Sequence, residues 1–147
     1  MKTIWYYIRQ IFQSLNNLIV WFPIIWNDRQ WDDDYILFIL RKKFIMMESF
    51  YRSPKAHHLY ALKDAENIHV AISVLDRMIS HNYLDESLQE FYEAGYTLKD
   101  IPLEKLGQDE EAINLFRKCG KRADQMEEED FDFLFEHLRE HIRDWWD

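Results

Sequence analysis

Apolar residues recur at helical spacing along most of this chain. Trp5, Ile8, Phe12, Leu15 and Ile19 are three or four residues apart, which stacks them on one face of a helix over about Thr3 to Val20. Pro23 is expected to end that helix, because the residue before a proline avoids helical backbone angles. A second helix, roughly Asp33 to Tyr51, carries Tyr35, Phe38, Ile39, Ile45, Met46 and Phe50. Its apolar face is wide, which predicts a central place in the core. One of Asp32 to Asp34 caps it, and the others suit its positive N-terminal dipole. Ser53-Pro54 stops it. A third helix over about Leu62 to His81 then presents Ala65, Ile68, Ile72, Leu75, Met78 and Ile79 as a core stripe, with Arg77 at its edge.

The second half is less regular. Leu84 to Ala94 reads as a short helix closed by Gly95, the residue type that most easily takes a left-handed cap. Leu103 to Leu106 fits a single turn before Gly107. Asp109 to Lys118 is expected to be helical through Ala112, Ile113, Leu115 and Phe116 and to end at Gly120. A last helix over Glu127 to Trp146 turns Phe131, Leu134 or Phe135, Leu138, Ile142 and Trp145 inward, with an acidic first turn that suits its dipole. No repeat or low-complexity linker divides the chain. The expectation is an all-α fold: one compact, single-domain bundle of five to six helices over residues 1–147.

Composition narrows this further. Of the 147 residues, 48% are hydrophobic and 16% aromatic, against three glycines and three prolines. That is too little turn chemistry for a β-sandwich and too much apolar surface for disorder. The formal net charge of −9 is unevenly placed. Residues 1–60 hold eight Lys/Arg against five Asp/Glu, and residues 61–147 hold ten against twenty-two. The acidic half argues against duplex nucleic acid as a partner, since phosphates would be repelled. A cationic protein partner, or an anion held locally in the N-terminal half, remains open. The apolar run Leu18–Trp26 is nine residues, short of the roughly 20 a membrane span needs. With no cleavage site after it, the N-terminal segment reads as an amphipathic helix that packs or oligomerises. Cys119 is the sole cysteine, so no intrachain disulfide forms.

Candidate chemistry is sparse. His137-Leu138-Arg139-Glu140-His141 has the inverted zinc-protease pattern, two histidines on one helix face with a glutamate between. Such a site needs a third ligand far downstream, and six residues follow here, so the string reads as part of a solvated acidic helix. Adjacent His57 and His58 beside Lys55 read as loop. Cys119 between Lys118 and Lys121 would favour a thiolate if exposed but lacks a resolving partner. There is no glycine-rich phosphate loop, no identifiable nucleophile triad, and no EF-hand in Asp32-Asp33-Asp34. No metal site, cofactor or enzymatic activity is expected.

The densest chemistry is the elbow Trp26-Asn27-Asp28-Arg29-Gln30-Trp31-Asp32. In a structural role, Trp26 and Trp31 plug the gap between the first two helices while Asp28 and Arg29 pair. In a binding role, Trp26 or Trp31 stacks on a planar ring while Arg29 and Arg41, from the short basic girdle Arg41-Lys42-Lys43, hold negative charge. Trp26, Arg29, Trp31 and Arg41 are therefore the candidate ligand-binding residues.

The W-x-D-R-x-W-D elbow resembles a family of small helical proteins encoded by bacteriophages. The following helix with Met47-Glu48, then Leu75-Asp76-Arg77 with Tyr83, and the closing Trp145-Trp146-Asp147 extend the likeness. That family carries no assigned activity, so the resemblance implies a viral source and the host cytoplasm and transfers no catalytic residue. It points to a non-enzymatic accessory protein acting on host defence or host machinery. Two mechanisms compete: a homo-oligomer that binds and sequesters a small nucleotide-like ligand, which is preferred, or an acidic, DNA-mimic-like inhibitor of a host protein. A structural or assembly role is a third.

Overall fold

The computed structural model describes residues 2–29, 34–57, 59–98 and 110–146. It is all-α. In chain order the helices are α1 (Lys2–Asn27), α2 (Asp34–Tyr51), α3 (Ala61–Ser80), α4 (Tyr83–Ser87), α5 (Gln89–Glu93) and α6 (Glu110–His141), followed by a 3-10 turn at Asp144–Trp146. The turn expected at Leu103–Leu106, and Trp31, Asp32, Asp33 and His58, lie outside the described residues.

The bundle is built around α3. Its buried apolar positions Ala61, Ala65, Ile68, Ala71, Ile72, Leu75 and Met78 recur every three or four residues; five of them are in the stripe expected from its sequence, Ala61 and Ala71 join it, and Ile79 is half-buried. Three alanines along that stripe shorten the side chains, which lets neighbouring backbones approach closely. Helix α2 packs along one side of α3 and α6 along another. Between them lies a core of Phe44, Ile68, Leu75, Leu134, Leu138 and Trp145. Trp145, from the 3-10 turn, sets its indole edge-on to Phe44 at 5.5 Å, and the Tyr51 hydroxyl donates to its carbonyl oxygen.

A second, smaller core sits under the other end of α6, where Leu88 and Phe91 meet Ala112 and Cys119. Its shape comes from the end of α5. Gly95 takes φ +87°, its N–H donates to Tyr92 O at 3.0 Å, and the Tyr96 N–H donates to Phe91 O at 3.3 Å. That is the Schellman pattern. It folds the chain back so that the Tyr96 ring stacks on Phe91 at 5.2 Å.

Several expectations are corrected. Pro23 does not end the first helix but lies inside it. A proline removes one helical donor, here the partner of the Ile19 carbonyl, and α1 is exposed enough there for water to replace it. Trp5, Ile8, Phe12, Leu15 and Ile19, which share one face of α1, are exposed. In α2 the inward residues are Leu37, Leu40, Phe44, Met47 and Tyr51 together with the expected Ile45, while Phe38, Ile39 and Phe50 face out. That helix is apolar on most sides, so periodicity alone could not choose its buried side. The helix expected to end at Gly120 and the one expected to start at Glu127 are one helix of 32 residues. Cys119 and Ala123, both buried, clamp the backbone on either side of the glycine. Phe131, Phe135 and Ile142 are exposed rather than inward, with Leu134, Leu138 and Trp145 taking the core. The segment Leu84–Ala94 holds two short helices joined at the buried Leu88.

Two stability measurements check this packing. Among the described residues the buried Trp145 indole nitrogen has no hydrogen-bond partner, so its ring contributes through packing, Phe44 included. Trp145→Ala is expected to cost about 3–5 kcal/mol in urea unfolding, and Trp145→Phe far less, because it removes the unsatisfied donor with part of the ring.

Gly120 and Gly95 are expected to respond with opposite sign. A Cβ at Gly120 meets nothing within 4 Å, so Gly120→Ala stabilises α6 by roughly 0.5–1 kcal/mol. Gly95→Ala is destabilising, because its φ of +87° strains any L side chain even though the space is open. Paired chemical-denaturation curves read both.

Candidate functional surfaces

Among the described residues, Trp26, Arg29 and Arg41 do not line one pocket. Trp26, 68% exposed, lies at the C-terminal end of α1, where its ring tilts against Phe22 at 5.0 Å. Arg29 Nη1 donates to the Asp28 backbone carbonyl at 3.1 Å, so its local bond is to the main chain rather than the Asp28 carboxylate. Arg41 faces α3 and forms an ion pair with Asp76. Three of the four candidates are thus engaged by different neighbours, and the fourth, Trp31, lies outside the described residues. An anion binding at Arg41 would have to compete with a carboxylate already in place.

Glu48, Asp76, Arg77 and Tyr83 tie helices together. Asp76 holds Arg41 across α2 and α3. Glu48 Oε1 lies 3.0 Å from Arg52 and 3.1 Å from His69 Nδ1. Asp130 on α6 receives the Tyr83 hydroxyl at 2.8 Å and Arg77 Nε at 3.0 Å, and the Arg77 guanidinium lies 5.3 Å from the Tyr83 ring centroid. This trio joins α3, α4 and α6. Burial first, then the bond to Asp130, pushes the Tyr83 phenol above its ordinary range. Burial, then the charge of Asp64, raises Tyr51 as well.

A cavity of about 650 Å³ opens where the first turn of α3 meets the last turn of α6, lined by Tyr60, Lys63, Asp64, Asn67, Glu140, His141 and Asp144 among others. Asp64 is 5% exposed in the first turn of α3, where a carboxylate suits the helix dipole. Three carboxylates against one lysine make this cavity suited to cations rather than phosphates. Sequence reasoning missed it, since its walls are about 75 positions apart in the chain; the acid at the start of α3 was the one available signal. The two histidines of the zinc-protease-like string meet edge-on at 4.6 Å, and His137 Nε2 lies 2.8 Å from the Asn67 carbonyl. Its ring is tied to α3. Among the described residues no group of three or more His, Cys, Asp or Glu is placed to hold a metal ion.

Among the described residues two exposed apolar surfaces stand out. One is the apolar face of α1: none of residues 4–27 is buried, and Val20, Trp21 and Ile24 alone are half-covered. The other is an outer strip of α6. There Phe131 and Phe135, 49% and 46% exposed, pack ring to ring at 4.6 Å. Asp124, Glu127 and Glu128, one or two turns earlier and all exposed, share that side of the helix. Among the described residues no helix is long and apolar enough to cross a membrane.

The raised tyrosines give a pH dependence with a definite sign. A phenol whose folded pKa exceeds its unfolded value stabilises the fold fully below pH ~10 and loses that contribution as pH rises through the folded value. Stability is therefore expected to fall on the alkaline side of pH ~10, and Tyr83→Phe is expected to flatten that fall while costing about 0.5–1.5 kcal/mol near neutrality. Denaturation midpoints across the alkaline range, with phenolate absorbance followed in parallel, read both effects.

No protein-family model, curated protein or solved structure matches this chain.

Proposed function

We propose that this chain is a non-enzymatic accessory protein, of phage origin and active in the host cytoplasm, that works by occupying a basic surface of a host protein. The observation that carries this reading is the outer strip of α6: the exposed Phe131–Phe135 pair flanked by Asp124, Glu127 and Glu128. Large rings supply contact area with few rotatable bonds, and surrounding carboxylates select a cationic partner and speed its approach. The acidic balance of residues 61–147 extends the same field over the body. Phosphate-bearing ligands are disfavoured on this side.

A nucleotide-like ligand is the second reading. What favours it is the exposure of Trp26 beside Arg29 at the end of α1. It ranks below the first because Arg41, its main cation on α2, is held by Asp76.

The test compares wild type, Glu127→Lys/Glu128→Lys and Phe131→Ser/Phe135→Ser as tagged full-length proteins in host extract. One basic protein should be retained by wild type and lost from both variants. It should also elute as salt approaches 1 M, where screening acts within about 3 Å. Calorimetry with a panel of linear and cyclic nucleotides runs alongside. Binding of a nucleotide that Arg29→Ala abolishes, with no dependence on the α6 variants, would replace this reading with the second.

A further inference from the structure

The exposed side of α1 has a stricter pattern than an ordinary amphipathic helix. Ile4, Ile8, Ile11, Leu15, Leu18, Phe22 and Ile25 alternate spacings of four and three without a break. Every one of them is between 41% and 65% exposed. An unbroken 4-3 alternation has a mean period of 3.5, which an α-helix keeps in contact with a partner only by supercoiling around another helix of the same period. A second copy of this chain supplies such a helix with the same stripe.

The assignment of heptad positions follows from the spacing. Ile8, Leu15 and Phe22 fall at a, and Ile4, Ile11, Leu18 and Ile25 at d. Trp5, Phe12, Ile19 and Trp26 recur every seven residues at e, beside the seam, and all are exposed. Two features set the strand number. Branched isoleucine dominates d, which disfavours two strands and favours three or four. The apolar e positions widen each helix's sticky face beyond the narrow seam that a dimer covers. Pro23 falls at b, outside the contact, so its ring does not obstruct a neighbour.

Charge and area agree. Arg9 also falls at b, away from the seam. Aromatic side chains offer roughly 150–250 Å² each when fully covered, so the stripe and its e positions together reach the roughly 800 Å² per partner of a stable interface. A helix left alone in water is marginal, because most helical stability in proteins comes from packing an apolar face. Among the described residues, none buries a side chain of residues 4–27. A lipid surface is the rival occupant. It fits less well, since the polar face holds neutral Gln10, Gln13, Asn16 and Asn17 rather than a row of cations, and the whole chain carries −9.

We propose that α1 is an assembly helix through which three or four copies of this chain form a coiled coil. The proposal is independent of the α6 strip. Sedimentation equilibrium of the full-length protein at micromolar concentration should give a trimer or tetramer, and Leu15→Asp should give a monomer. That monomer should keep the urea midpoint of the body, because Leu15 is exposed and none of residues 4–27 is buried. Cysteine crosslinking stands on its own if the aspartate variant misfolds. Cys119 is buried, so Leu15→Cys, at mid-stripe, should form oxidised dimers rapidly while Asn17→Cys on the outer face does not. A monomeric or dimeric wild type overturns the proposal. So does an oligomer that Leu15→Asp leaves intact, or equal crosslinking at both positions. Flotation of monomeric wild type with vesicles of phosphatidylglycerol and phosphatidylcholine overturns it in favour of the lipid.

Discussion

The close approach of α2 and α6 to α3 is the constraint on which the rest of the fold depends. Ala61, Ala65 and Ala71 keep α3 slim, and Ile68, Ile72 and Leu75 fill the space between the helices. Because α3 is covered along nearly its whole apolar stripe, the polar groups at its margins are brought against neighbours at fixed heights. Asp76 meets Arg41, Arg77 meets Asp130, and the Asn67 carbonyl meets His137. These ties are local consequences of apolar packing. They set the register of the helices more than they hold them together, since partly exposed ion pairs contribute little net free energy.

What could be read from the sequence followed from how amphipathic each segment is. Helix α3 has polar residues on one side and small or branched apolar residues on the other, so its limits and most of its buried stripe were legible, though not Ala61 and Ala71. Helix α2 is apolar nearly all round, and Phe44 rather than Phe38 or Phe50 was chosen by the geometry of α3, which no local pattern encodes. Gly120 carried a true local cost of roughly 1 kcal/mol for a helix interior, but burial of its neighbours Cys119 and Ala123 outweighed it. Of the four candidate binding residues, the pairing of Arg41 with Asp76 spans 35 positions and was invisible along the chain. The α3–α6 cavity was invisible for the same reason.

The exposed faces divide the molecule's chemistry. On α1 the apolar stripe is uncharged along its length and suits a copy of itself; on α6 the exposed rings stand among carboxylates and suit a cation-bearing surface. The two patches differ in the sign and amount of charge around similar aromatic content. Charge therefore separates the two contacts, since an acidic rim that attracts a basic partner repels another acidic copy.

Helix α6 also joins two cores of unequal size. Its 32 residues extend about 48 Å at 1.5 Å per residue, with the large core under one half and the Leu88–Phe91 cluster under the other. The smaller cluster holds Cys119, 3% exposed, so a reagent reaches its thiol far faster when that half of the helix lifts away. The molecule thus carries its own chemical clock. The rate at which a thiol reagent modifies Cys119 reports how often the small core breathes, separately from global unfolding.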